Sequence, residues 1–198
     1  MHVVVMAAGE GRRLRPVTER WPKPVLPIDG RPVIAALARE LAAAGLTQVT
    51  VVTGHLAEQV EGLLGPGRAF RLEISYVRQP QADGSADAVR RAVDAGARPP
   101  LIVSAADTLY TAGDVSVFAS AFAASDGAAA MAFRPNGTPA PLWGLTKTVT
   151  DRLPDLPGPP YELLAAVEGI EVGKIQIGPT RDLTDPLDLV RENVPYLR

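Results

Sequence analysis

The sequence contains no cysteine, two histidines and only three lysines among its 198 residues. Without cysteine, thiolate catalysis, disulfide bonds, cysteine-ligated zinc and iron–sulfur clusters are excluded. The two histidines, His2 and His55, argue against a histidine-based zinc site and leave few options for a Ser-His-Asp triad. We expect His55 to be a loop or core residue rather than a catalyst. Arginine outnumbers lysine 17 to 3, so the position of each lysine is informative.

The sequence also lacks a strong net charge and a long apolar run. Its 20 Lys+Arg and 22 Asp+Glu residues give a formal net charge of −2, which argues against binding nucleic acid by bulk electrostatics. No stretch approaches the ~20 apolar residues that span a bilayer, and residues 1–10 lack the basic lead of a signal peptide. We expect a cytoplasmic protein with no nucleic-acid or membrane partner, folded as a single domain over residues 1–198.

Apolar residues follow two alternating periodicities along most of the chain. Short β-branched runs are typical of buried strands, and stretches with helical spacing lie between them. The predicted strands are 3–6, 48–53, 72–77, 101–104 and 128–133, and the predicted helices are 34–44, 56–64, 85–95 and 115–124. This alternation predicts an α/β fold with three layers around a mostly parallel, mixed central sheet.

The remaining part of the chain is less regular. Residues 135–160 are dense in proline and glycine and show no periodicity, so we predict a long loop or lid there. A helix over 161–168, a strand over 172–177 and a short terminal helix over 186–192 are predicted to follow it.

A glycine-containing loop follows the first predicted strand. Gly9 and Gly11 stand at the carboxyl end of that strand, where open α/β sheets bind ligands, and they let backbone N–H groups approach an anion closely. The dinucleotide fingerprint does not fit, because it needs a third glycine at the position of Leu14, and the Gly-Lys-Ser/Thr of a P-loop is absent. The loop therefore predicts an anion site of another type.

Cationic side chains follow the glycines. Arg12 and Arg13 can offer bidentate hydrogen bonds to phosphate oxygens, whereas Lys23 is a point charge that can follow a migrating phosphoryl group. Lys23 stands between Pro22 and Pro24, and their fixed φ angles restrict the local backbone. Positive charge held in this way suits the stabilisation of negative charge that develops in a transition state.

These residues carry a family resemblance. The pattern Ala8-Gly9-x-Gly11-x-Arg13-Leu14-x-Pro16-x-Thr18, followed by Pro22-Lys23-Pro24, resembles the signature loop of the sugar-1-phosphate nucleotidyltransferases. The resemblance is strong over residues 1–110 and returns over 181–197. It implies a Rossmann-like fold of the glycosyltransferase-A (GT-A) type. It also implies an Mg²⁺-dependent enzyme that joins an NTP to a sugar 1-phosphate and releases pyrophosphate.

The resemblance also implies roles for individual residues of the loop. The nucleotide would be held by Ala8, Gly9, Gly11, Arg12 and Arg13. Arg13 would contact the departing pyrophosphate, and Lys23 would contact the α-phosphate or the incoming sugar phosphate. Together with Asp107, Arg13 and Lys23 form the expected catalytic set.

A second polar segment, from Gln79 to Ala88, is expected to line the nucleoside. A buried amide such as that of Gln79 offers both a donor and an acceptor to the imide edge of uracil or thymine, which favours a pyrimidine nucleotide. Gly84 permits close backbone approach at the start of the next helix, and Ser85 is its predicted N-cap. The segment resembles the family's Gln…Gly-Thr-Ala element, with Ser85 in place of threonine.

Two aspartates are the expected magnesium ligands. Asp107 resembles the family's metal-binding aspartate after the fourth strand, and Asp182 resembles the first aspartate of its C-terminal motif. Two carboxylates ~4 Å apart would repel each other by about 4 kcal/mol at an effective dielectric constant of about 20. A divalent cation would remove this repulsion and bridge to phosphate oxygens. Asp185 and Asp188 are predicted to cap the last helix rather than to bind metal.

The acceptor site is the part that the sequence defines least. Trp143, Gly144, Lys147 and Glu162 are the candidate acceptor-binding residues, and the segment 135–160 would form a loop or lid over the acceptor site. Packing within the lid is an equal alternative for Trp143 and Gly144. The compact length also resembles the molybdopterin nucleotidyltransferase type, or a cytidylyl- or guanylyltransferase that acts on a phosphorylated alcohol. A nucleotide-binding regulatory module that has lost its acceptor site is a further alternative.

Overall fold

The computed structural model describes residues 1–153 and 162–194. Strands in these ranges are β1 (His2–Ala7), β2 (Pro27–Ile28), β3 (Arg31–Pro32), β4 (Gln48–Thr53), β5 (Glu73–Arg78), β6 (Leu101–Ala105), β7 (Thr108–Leu109), β8 (Ala129–Phe133), β9 (Pro139–Leu145), β10 (Val172–Gln176) and β11 (Arg181–Asp182). The helices are α1 (Val33–Ala43), α2 (Ala57–Leu64), α3 (Ser85–Asp94), α4 (Asp114–Ala123), α5 (Lys147–Thr150), α6 (Leu163–Ala166) and α7 (Pro186–Arg191). None of these helices has the length and apolar content needed to cross a membrane.

The main sheet of the described residues has seven strands in the order β10-β8-β9-β6-β1-β4-β5. β1 pairs in parallel with both β4 and β6, β4 pairs in parallel with β5, and β8 pairs in parallel with β10. Only β9 runs antiparallel, between β6 and β8. The predicted α/β class with a mostly parallel, mixed central sheet is therefore confirmed.

Helices cover both faces of this sheet. Because successive side chains of a strand point to opposite faces, Val3 and Val5 of β1 pack on one side and Val4 on the other. The cluster around Val3 and Val5 includes buried residues of α1, α2 and α4, and the cluster around Val4 includes residues of α3, α5 and α6. The three layers predicted from the sequence are thus present, and the carboxyl ends of β1, β4, β5 and β6 lie together at one edge.

The prediction of an irregular loop over residues 135–160 is wrong for its first half. Strand β9 lies inside the sheet and α5 follows it. Pro139 and Pro141 fall where pairing with β8 is irregular, and regular pairing begins at Leu142 with β6 and at Trp143 with β8. Proline is tolerated at such strand starts and bulges, so the proline density here marks the beginning of a strand. Residues 154–160, and Tyr161 of the predicted helix 161–168, lie outside the described residues.

Strand β9 also explains an aromatic–glycine pair. Trp143 is 8% exposed and packs in the core cluster with Val4. Gly144 lies against the ring of Phe122, where an added β carbon would stand 2.4 Å from Cγ of that ring. The pair therefore has a packing role in the centre of the sheet.

We predict that Gly144→Ala lowers the free energy of unfolding by about 1–3 kcal/mol, because the buried Phe122 ring must move to admit the methyl group. Urea unfolding followed by circular dichroism measures this change. Gly62→Ala in α2 is the matched control, since an added β carbon there meets nothing within 4 Å. The control should leave stability unchanged or raise it by about 0.5–1 kcal/mol. Unchanged stability of Gly144→Ala would contradict the packing.

Candidate active site

A cavity of about 480 Å³ opens at the carboxyl ends of β1 and β6. Its lining combines the loop after β1, the Lys23–Pro24 turn, the segment between β5 and α3, and the residues after β6. The lining residues are Met6, Ala7, Ala8, Gly9, Gly11, Arg12, Arg13, Leu14, Lys23, Pro24, Gln79, Ala82, Gly84, Ser85, Ala88, Ala105, Asp107, Glu162, Leu183 and Thr184. The sequence-predicted nucleotide-binding residues therefore converge on one cavity.

The glycine loop is fixed by the residues beneath it. Gly11 has φ +62°, a left-handed conformation that favours glycine, and an added β carbon would lie 2.9 Å from Cγ2 of Thr18. The Thr18 hydroxyl donates to the Gly11 carbonyl at 2.9 Å, and the His55 ring contacts the Thr18 carbonyl at 2.7 Å. Leu14 is buried in a small apolar cluster with Leu183 and neighbours. His55 thus has a structural contact beneath the loop, in line with the expectation of a loop or core residue.

The three arginines of the loop differ in their partners. Arg12 and Arg15 both pair with the Glu10 carboxylate, at 2.9 and 3.1 Å. The hydrogen bond from Arg12 lowers the pKa of Glu10, which stays ionised. Arg13 lines the cavity and has no ion pair with any residue in the described ranges. Arg13 is therefore the guanidinium most readily available to an anion in the cavity.

Lys23 contacts Asp107 at the wall of the cavity. Its Nζ atom lies 2.5 Å from the Asp107 Oδ2 atom, with side-chain exposures of 13% for the lysine and 30% for the aspartate. Pro22 is extended, and a short 3-10 turn (Lys23–Val25) follows it, so the lysine projects from a constrained backbone. The ion pair connects the segment between β1 and α1, which carries Lys23, to the end of β6. It places a cation beside a carboxylate at the same cavity wall.

Asp182 lies on the strand next to Asp107. The short strands β7 and β11 pair antiparallel, with Asp182 opposite Thr108, one residue beyond Asp107. Asp182 is exposed, and the cavity lining in this region is formed by Leu183 and Thr184. Residues 1–153 and 162–194 contain no group of three or more His, Cys, Asp or Glu side chains arranged to hold a metal ion. Asp107 lines the cavity, whereas Asp182, the second predicted magnesium ligand, is not among the lining residues. The carboxylates that this region offers to a cation are those of Asp107 and Asp182.

The segment that carries Asp182 is clamped to the body of the protein through Arg181. This guanidinium makes a bidentate contact with Asp29, at 2.6 and 2.9 Å, and also pairs with Glu192. The hydrogen bond from Arg181 lowers the pKa of Asp29. Asn193 adds hydrogen bonds to Gly30 and Pro27 of the β2–β3 hairpin. The C-terminal segment is thereby held beside the cavity.

The last helix begins as predicted. Asp185 is the N-cap of α7, and its side chain accepts from the backbone N–H groups of Leu187 and Asp188. The Asp188 carboxylate reaches back to the N–H of Asp185 and completes a capping box. Both aspartates are thus occupied by helix capping, which confirms their predicted role.

The Gln79 side chain is buried at the base of the cavity. Its Nε2 donates to the Gly84 carbonyl at 3.0 Å and to Asp87 Oδ2 at 2.9 Å. The predicted donor function toward a base is therefore corrected: both amide hydrogens are already used, and the acceptor Oε1 is what the side chain has left to offer.

Ser85 is not the N-cap of α3. Gly84 occupies that position, and Ser85 is the first residue of the helix. The Ser85 hydroxyl donates to the Glu162 carboxylate at 2.5 Å and accepts from the Leu163 N–H at 2.9 Å. Glu162 lines the cavity through this contact, so α6 is tied to the start of α3.

The other candidate acceptor residues lie away from the cavity. Trp143 and Gly144 pack in the sheet, and Lys147 is an exposed residue of α5 that pairs with Asp151 at 2.6 Å. Of the four candidates, only Glu162 lines the cavity. The aromatic–glycine pattern does not indicate an acceptor site here, because in β9 both residues pack in the core.

Sequence reasoning missed Asp87, Leu183 and Thr184. Asp87 is 2% exposed and bonds the Gln79 amide, although in the sequence it has the pattern of an ordinary acidic residue in the first turn of a helix. Leu183 and Thr184, the two residues after Asp182, line the cavity. Their position depends on the pairing of β11 with β7, which no local pattern indicates.

Solved structures of similar fold are known. A crystal structure of UDP-glucose pyrophosphorylase with bound UDP-glucose superimposes with a TM-score of 0.81 and 20% identity, covering 99% of this chain and 98% of that chain. This similarity concerns the fold.

Two curated relatives are similar over less than half of the chain. The nucleotidyltransferase Agl11 of low-salt glycan biosynthesis from Haloferax volcanii is 37% identical over 95 residues, which are 48% of this chain and 27% of Agl11. The N-acetylmuramate α-1-phosphate uridylyltransferase of Neisseria meningitidis is 38% identical over 80 residues, 40% of this chain and 35% of that protein. The matched stretches thus span about a quarter to a third of these relatives.

The family model described as nucleotidyl transferase matches residues 2–151. The match includes the glycine loop, Lys23, the Gln79–Ala88 segment and Asp107, which are the residues that meet in the cavity. Because it covers well over half of the chain, this protein belongs to the nucleotidyl transferase family.

Proposed function

We propose that this protein transfers a nucleotidyl group from an NTP to a sugar 1-phosphate, giving an NDP-sugar and pyrophosphate. The observation that carries the proposal is the convergence of Arg13, Lys23 and Asp107 on one cavity beside the glycine loop. Proteins commonly bind phosphate groups through backbone N–H groups and cationic side chains. The glycine loop and the side chains of Arg13 and Lys23 would supply these groups here. The names of curated relatives, among them uridylyl- and thymidylyltransferases of glucose 1-phosphate, support the same chemistry.

The reaction is an in-line displacement at the α-phosphorus. A phosphate oxygen of the acceptor forms the new P–O bond, the bond between the α-phosphorus and the bridging oxygen breaks, and its electron pair leaves with pyrophosphate. The acceptor phosphate is already ionised at neutral pH, so little general-base assistance is needed. Catalysis then depends on positioning and on stabilising charge.

The cations divide this work between the two ends of the triphosphate. Arg13, which is not engaged by Glu10, would bind the oxygens of the departing pyrophosphate with its planar guanidinium. Lys23, beside Asp107, would supply a point charge that stabilises the α-phosphate as negative charge shifts. Arg12 would add a contact only by leaving its ion pair with Glu10.

The donor set fits Mg²⁺. Carboxylate oxygens are the ligands that this ion prefers, and it is commonly bound through one or two carboxylates together with substrate phosphates and water. The residues that would hold it are Asp107, which lines the cavity one residue before β7, and Asp182, which is exposed on the paired strand β11. When bound, the ion would neutralise phosphate charge and help to orient the phosphates. In this structure the Lys23 ammonium pairs with one oxygen of Asp107. Lys23 would have to turn toward the phosphates for that oxygen to bind a cation.

On the acceptor side, Glu162 is the residue that the proposal retains. Its carboxylate lines the cavity and is held by Ser85. A carboxylate can accept hydrogen bonds from sugar hydroxyl groups. The proposal assigns no particular sugar.

A pyrophosphate-release screen tests the proposed function. The full chain is incubated with Mg²⁺ and each of UTP, TTP, GTP, CTP and ATP, combined with sugar 1-phosphates or with phosphorylated alcohols. Pyrophosphate released only in the presence of a sugar 1-phosphate is the expected result. Pyrophosphate release with phosphorylated alcohols alone would show that the acceptor is a phosphorylated alcohol and not a sugar 1-phosphate. NTP binding without release from any acceptor would indicate a regulatory module instead.

Asp107→Asn is expected to lower kcat by about two to three orders of magnitude with the fold retained, because the neutral amide loses the charge that holds a divalent cation. Initial rates over a magnesium titration measure the loss. Asp151→Asn is the matched control, since Asp151 also pairs with a lysine but lies at the surface near α5. A wild-type rate for Asp107→Asn at saturating magnesium would contradict the metal assignment.

Lys23→Ala should reduce kcat more than it changes KM, by about 2–4 kcal/mol in transition-state stabilisation, or roughly 30- to 1,000-fold in rate. Steady-state kinetics on both substrates separate the two parameters. Lys174→Ala, which removes an exposed lysine near the Phe133 ring, serves as the control and should leave both unchanged. An effect of Lys23→Ala confined to KM would assign the lysine to ground-state binding only.

A further inference from the structure

Asp87 is a buried carboxylate beneath the cavity. Its side chain is 2% exposed and lies in the first turn of α3. Oδ1 accepts from Arg90 at 2.6 Å, and Oδ2 accepts from both Arg91 at 2.6 Å and Gln79 at 2.9 Å. The aspartate therefore connects two surface arginines to the amide that lines the cavity.

The surroundings of Gln79 determine which way its amide points. The two groups that face its nitrogen are the Asp87 carboxylate and the Gly84 carbonyl, and both are acceptors. With the amide turned over, its oxygen would face these two acceptor oxygens, and both hydrogen bonds would be replaced by repulsion. The nitrogen is thus directed to the protein, and Oε1 is the polar atom left for the cavity.

The charge of Asp87 strengthens this preference. Burial raises the pKa of Asp87, but the hydrogen bonds from Arg91, Gln79 and Arg90 more than offset it, so the net pKa is lowered. The carboxylate is then ionised at neutral pH and can only accept. An ionised acceptor binds an amide N–H more strongly than a neutral one does.

We propose that Asp87 is a positioning residue that locks Gln79 as an acceptor, so that the site selects nucleobases with a ring N–H on the Watson–Crick edge. Uracil and thymine offer N3–H and guanine offers N1–H, whereas cytosine and adenine present a lone pair at the corresponding ring nitrogen. The inference rests on the proposed function and narrows it. The feature that counts is the ring N–H, not the size of the base.

Titration calorimetry with the wild-type chain tests the acceptor directly. UTP is compared with N3-methyl-UTP, which lacks the ring N–H, and with 5-methyl-UTP, which carries a methyl group of equal size elsewhere on the ring. We expect N3-methyl-UTP to bind at least about tenfold more weakly than UTP, and CTP to be weakened to a similar degree, with 5-methyl-UTP close to UTP.

Asp87→Asn tests the positioning role. The new amide can donate to Gln79 and lets its side chain turn over, so the preference for UTP over CTP should shrink to less than about threefold. Asp94→Asn on the same helix is the matched control, because Asp94 also pairs with Arg90 but is exposed. The control should keep the wild-type preference. Because the readout is a ratio between two ligands, a general loss of stability does not imitate it.

The outcomes separate the inference from the proposed function. Equal binding of UTP and N3-methyl-UTP overturns the inference and leaves the nucleotidyl transfer proposal standing. If folded Asp87→Asn keeps the wild-type preference for UTP over CTP, Asp87 has no positioning role. If this variant does not fold, the comparison of methylated nucleotides with the wild-type chain decides. A wild-type chain that binds no NTP overturns both proposals, because the second depends on the first.

Discussion

The ion pair between Lys23 and Asp107 connects the two halves of the site. Lys23 comes from the crossover after β1 and Asp107 from the end of β6, two strands that are adjacent and parallel in the sheet. Parallel neighbours bring their carboxyl ends to the same edge, so residues 84 positions apart meet at 2.5 Å. The glycine loop, held open at Gly11, lies beside this pair. The consequence is a cavity whose lining combines a cation, a carboxylate and the glycine loop.

Two polar networks outside the cavity keep its walls in place. Arg181, bound to Asp29 and Glu192, holds the C-terminal segment with Asp182 next to Asp107. Asp87, bound to Arg90, Arg91 and Gln79, fixes the Gln79 side chain at the base of the cavity. Each network combines charge-assisted hydrogen bonds, which are stronger and more directional than neutral ones. Both position groups that the proposed chemistry uses, and neither reacts itself.

Much of this arrangement could be predicted from the sequence, because buried parallel strands and amphipathic helices leave clear periodicities. The loop residues Gly9 to Arg13 and Lys23 are local in sequence, so their pattern identifies them. Strand β9 was missed because its prolines resemble those of a loop, and the ribbon of β7 and β11 was missed because two residues show no period. Asp87 looked like an ordinary helix-start charge. Its role depends on a contact with Gln79 that only the packing of α3 on the sheet creates.

The central claim is that a triphosphate lies along the first crossover, between the cations that follow β1 and the carboxylate that follows β6. A crystal structure of the full chain with Mg²⁺ and a non-hydrolysable UTP analogue tests this most directly. The account predicts phosphate density against the backbone of residues 9–13, with the Lys23 ammonium moved from Asp107 onto a phosphate oxygen. Nucleotide bound elsewhere, with the contact between Lys23 and Asp107 intact, would contradict it.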